Sequence, residues 1–182
     1  MTINPREASA MLADVEAIIG KVKQTRAYRV AGVVMILWGV IVVAGNISAV
    51  VAPRWAGWSW LALDLLGVLL TLLVIWRDSP AGDGVPIRLI AAFALFFLFG
   101  LVWSALIGRF GPRQLDAFWP TLFLFGYALA GIWFGAVFCA IGLGLAALIL
   151  VGYFWSGDWF TLWLAVFNGG GLILCGAWMR RA

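Results

Sequence analysis

The sequence predicts an all-α, polytopic membrane protein with about six transmembrane helices and a preceding N-terminal amphipathic helix. Composition is the first reason: 65% of the 182 residues are hydrophobic and only 11% are charged. Soluble domains are roughly 45–50% apolar and about a quarter charged, so lipid must take part of the burial. The second is the recurrence of charge-poor windows near the ~20 residues that a helix needs to cross a bilayer core of about 30 Å. The third is the placement of tryptophan at the ends of those windows, where its amphipathic ring suits the interface.

The windows fall at 30–51, 57–76, 88–108, 117–133, 135–155 and 159–179. Residues 117–157 are uncharged throughout, too long for one crossing, and divide best at Gly131-Ile-Trp-Phe-Gly135. Pro120 reads as the start of the fourth span, where proline is tolerated. The loop Arg77–Arg88 is rich in Pro, Gly and Asp and reads as a flexible link.

Cationic residues set the orientation. With the N-terminus cytoplasmic, the inner segments carry Arg6, Lys21, Lys23, Arg26, Arg29, Arg77, Arg88, Arg180 and Arg181, and the outer loops carry Arg54, Arg109 and Arg113. This bias places both ends in the cytoplasm. Arginine supplies most of the cations, which hints at a GC-rich genome and no more; a bacterial inner membrane is the expected location. The N-terminal stretch is charged and has no signal-peptide pattern.

Residues 1–28 form a separate element. Asn4-Pro5-Arg6-Glu7 has the order of a helix N-cap with Pro at the first helical position and Glu at the third. Ala8, Met11, Val15, Ile18 and Val22 then recur at helical spacing, widened by Leu12 and Ile19. Such a helix either lies on the membrane surface, anchored by Lys21, Lys23 and Arg26, or offers residues 5–26 to a protein partner or a second copy.

Several chemistries are excluded. There is no histidine, which removes imidazole bases, haem ligation through His and most zinc sites. Cys139 and Cys175 lie apart in apolar segments and read as small hydrophobes. No nucleophile–base pair, phosphate loop or metal-ligand cluster occurs, so the chain is expected to be non-enzymatic, with no catalytic residue, metal or cofactor. The net charge of +4 forms no basic stripe, and nucleic acid is not an expected partner; the lipid bilayer is.

Four polar residues are costly where they fall. Asp64 is the one ionisable group inside a span, roughly 5 Å from its centre at 1.5 Å per residue. An ionised carboxylate there costs about 2.5–3.5 kcal/mol on insertion scales. Asn46, Asn168 and Ser104 join it as a candidate polar pocket biased toward the outer half of the membrane. Gly169, Gly170 and Gly171 follow Asn168 directly, and each lowers helix propensity by about 0.8–1 kcal/mol. They imply either a broken helix or close helix packing, and packing is the favoured reading. The leading functional expectation is a structural, regulatory or sensory component acting through helix packing and partner binding. The alternative is a small transporter or channel for a proton, cation or small solute built around Asp64.

Overall fold

The computed structural model describes residues 5–78 and 87–181; the Asn4 cap and most of the Arg77–Arg88 link lie outside them. Among the described residues the chain is helical without strands, and six helices are long and apolar enough to cross a membrane. It is an all-α helical membrane protein.

Span 1 is the membrane part of one unbroken helix, Pro5–Val51. Its 47 residues extend about 70 Å, more than twice the hydrocarbon thickness. Because no break separates the N-terminal turns from the crossing, they continue the axis of span 1 instead of turning onto the membrane plane. Span 2 is Ala56–Asp78. Span 3 starts as Ile87–Leu101 and ends as a π-helix, Val102–Ile107. Span 4 is Pro112–Phe134 and span 5 is Ala136–Trp155. Span 6 combines Phe160–Trp163, a π-helical stretch Leu164–Gly170, and Gly171–Met179.

The packing order differs from the chain order: span 2 against 1, then 6, 5, 4 and 3. Apolar side chains gain little hydrophobic drive by meeting each other within lipid, so packing relies on close fit and small residues. The interfaces meet that requirement in two alternating ways. Spans 1 and 6 touch backbone to backbone, Gly32 against Gly176 and Gly39 against Gly169. The seven-residue repeat on both helices, running in opposite directions, keeps these contacts in one seam. Spans 4 and 5 repeat the device, with Gly131 against Cys139 and Gly142 against Leu124 and Ala128.

The other interfaces set an aromatic ring on a glycine. Trp60 covers Gly45 and Trp38 covers Gly67 between spans 1 and 2; Trp163 covers Gly152 between spans 5 and 6; Trp119 covers Gly100 between spans 3 and 4. Two of these indoles are also hydrogen-bonded. Trp38 Nε1 donates to Thr71 Oγ1 at 3.1 Å, and Trp163 Nε1 to the Leu148 carbonyl at 2.9 Å. The apolar core lies among spans 1, 4, 5 and 6, around Met35, Leu124, Ile149, Leu164 and Met179.

Spans 4 and 5 turn at Gly135, whose φ of +119° and ψ of 151° suit glycine almost alone. A Cβ there would lie 2.6 Å from the Tyr28 hydroxyl, and Tyr28 also meets Phe138 edge-on at 5.3 Å. Span 1 thus covers this uncharged turn, the condition under which irregular backbone is tolerated at membrane depth.

Span 4 begins earlier than the sequence suggests, which places Pro120 inside the helix. Proline there removes the backbone donor that would bond the Asp116 carbonyl, yet the helix runs on through it to Phe134; the adjoining Thr121 hydroxyl bonds back to the next two carbonyls, Ala117 and Phe118, at 2.8 and 2.9 Å. The first turns carry Arg113, which reaches the end of span 5. It donates through Nη1 to the Gly157 carbonyl and through Nη2 to the Tyr153 carbonyl at 2.7 Å. Its guanidinium lies over the Tyr153 and Phe160 rings at 5.4 and 5.0 Å. Last-turn carbonyls have no intrahelical partner and carry the negative end of the helix dipole. Arg113→Ala is therefore expected to lower stability by about 1.5–3 kcal/mol, read as a fall in melting temperature. Arg113→Lys recovers only part of this, because an ammonium cannot reproduce the fork; full recovery by Lys would show that charge alone matters.

Candidate functional site

The four polar residues expected to share a pocket lie on four different spans. Asn46 is 4% exposed on span 1, and its Nδ2 donates to the Val42 carbonyl one turn back at 2.8 Å. Asn46 extends the Gly32–Gly39 repeat by a further seven residues, about two turns from the Gly39–Gly169 contact toward the Val51 end of the helix. Ser104 is buried in the π-helical end of span 3, whose ring contacts run to Trp119 and Phe123 of span 4. Asn168 is 2% exposed within the π-helical stretch of span 6, and its Oδ1 is buried without a hydrogen-bond partner.

Asp64 faces the other way. Span 2 buries only Gly67, against Trp38 and Ile41 of span 1. Asp64 is exposed, as are Leu61 and Val68, its neighbours at three and four residues on the same helix face. A carboxylate thus stands on an apolar outer surface at membrane depth, where water is absent.

The three consecutive glycines separate into different roles. Gly169 meets span 1, Gly171 meets Leu145 of span 5, and Gly170 has nothing within 4 Å of a built Cβ. The helix stays hydrogen-bonded through this region by widening to a π-turn, a feature frequent at functional sites. Close packing and helix distortion therefore coexist at Asn168-Gly169-Gly170-Gly171.

At the end of the bundle that carries both chain termini, the sequence reading missed a cluster. Asp78 accepts from Arg26 Nε at 3.1 Å and from Arg29 Nη2 at 2.7 Å. Beside it a cleft of about 360 Å³ opens between spans 1, 2 and 6, lined by Arg29, Val30, Val33, Val74, Arg77 and Arg180 as well as Asp78. The charges were visible as helix-end residues, but only packing joins positions that lie far apart in the chain. Beyond this cluster, Met11, Leu12, Val15, Ile18 and Val22 form an exposed apolar stripe on the extended helix.

No family model, curated protein or solved structure matches this chain.

Proposed function

We propose that this is a non-enzymatic component of a bacterial inner membrane that assembles laterally with another membrane protein or a second copy. Asp64 carries the reading. An exposed carboxylate on a lipid-facing helix is expensive, and such residues ordinarily face protein or a wet cavity. The Asp64 face of span 2 thus serves as an association surface, with the carboxylate as its polar anchor. The cationic bias supports a cytoplasmic location for both ends. There the extended helix, with its unpartnered apolar stripe, acts as a second docking element for a structural, regulatory or sensory role. Asp64→Leu tests this: the variant is expected to keep its fold and lose its membrane partner. Undiminished association would contradict it.

A transport reading is favoured by one observation, the orphaned Oδ1 of Asn168 in a π-turn. A buried acceptor without a partner is costly, and a proton donor or cation in transit would satisfy it. Asn168→Leu separates the readings. Under assembly, removing the orphaned acceptor leaves stability equal or up to about 1 kcal/mol higher, and the variant remains associated. Loss of cation or proton flux in proteoliposomes, with folding intact, would favour transport.

A further inference from the structure

We propose that the cleft between spans 1, 2 and 6 at the basic end binds the phosphate headgroup of an anionic phospholipid. Its lining combines two chemistries. Arg29, Arg77 and Arg180 supply three guanidiniums against the single carboxylate of Asp78, while Val30, Val33 and Val74 supply apolar lining. Asp78 occupies one Nη of Arg29, leaving most of its five N–H donors available. A guanidinium matches phosphate oxygens with paired hydrogen bonds. Among the described residues, Arg77 and Arg180 have no ion-pair partner.

The cleft also lies at headgroup depth. Trp76 and Trp178, one and two residues before the lining Arg77 and Arg180, are exposed at the same helix ends, where tryptophan marks the interface. Basic pockets between transmembrane helices are suited to anionic headgroups. A free phosphate ion would use the arginines alone; a phospholipid also uses the valines, and this favours the lipid. The site fixes spans 1, 2 and 6 together, so bound lipid reports on their relative positions.

The full-length protein, incorporated into nanodiscs of equal phosphatidylglycerol and phosphatidylcholine, would be analysed for lipid retained on extraction. The expected result is about one phosphatidylglycerol per protomer, with phosphatidylcholine retained at least about tenfold less. Arg77→Gln combined with Arg180→Gln is expected to abolish the preference, whereas Arg54→Gln at the opposite end leaves it intact. Equal retention of both lipids by the wild-type protein would overturn the proposal, whether or not the double variant folds. So would an unchanged preference in a folded double variant. Complete displacement of the lipid by millimolar inorganic phosphate would also overturn it, by assigning the site to the free ion.

Discussion

Replacing Gly39 by Leu is expected to separate spans 1 and 6 and to give the largest loss of stability of any single substitution in the bundle. A Cβ at Gly39 would lie 2.7 Å from the Gly169 carbonyl oxygen and 2.9 Å from the Ile173 nitrogen. Both are backbone atoms of span 6, so neither can rotate away as a side chain could. The helices must move apart, and that movement also opens Gly32–Gly176 in the same seam. Overpacking in a fitted core costs about 1–3 kcal/mol and sometimes more; loss of the adjoining contacts places Gly39→Leu at or above the top of that range. Gly170→Ala supplies the control. Its Cβ enters open space, and replacing glycine by alanine in a helix is worth up to about 1 kcal/mol. Thermal unfolding should therefore move in opposite directions for two glycines of the same bundle. Equal effects would show that helix propensity, not the seam, governs these positions.

The sequence makes the six crossings legible because charge is excluded from the hydrocarbon region, so Arg54, Arg77, Arg109 and Arg180 mark helix ends directly. The neighbours of each helix are less legible. Gly32 and Gly39 show a seven-residue spacing in the chain, but nothing local names span 6 as the helix that receives them. Span 2 is apolar nearly all round, so no periodicity could reveal which face carries Asp64. Asp64, Asn46, Asn168 and Ser104 group together in the sequence only by a lean toward one half of the membrane; height in the membrane leaves the direction around each helix open. The polar residues Arg113, Gln114 and Asp116 before Pro120 make it look like a helix start in the sequence. In the folded protein those residues form the first turns, anchored when Arg113 reaches the carbonyls of span 5.

The extended first helix connects the two proposed contact surfaces. Its apolar stripe lies on the N-terminal turns of the helix, and its continuation packs against span 2, which carries Asp64 outward. A partner bound by the N-terminal turns would therefore act on the same rigid rod that supports the association face. Covering Asp64 would remove the ~2.5–3.5 kcal/mol insertion penalty of an exposed carboxylate and would supply part of the drive for assembly. Substitution by leucine removes both the penalty and the polar anchor. The isolated Asp64→Leu protomer should thus tolerate lipid better than the wild type while associating at least about tenfold more weakly, the loss of roughly 1.4 kcal/mol.

The mass of the protein excised from its native membrane in polymer-bounded discs, wild type beside Asp64→Leu, tests lateral assembly most directly. The expected result is a wild-type particle containing more protein than one 19.8 kDa chain and a variant particle containing one folded chain. A single wild-type chain, or wild-type and variant particles of equal protein mass, would contradict the account.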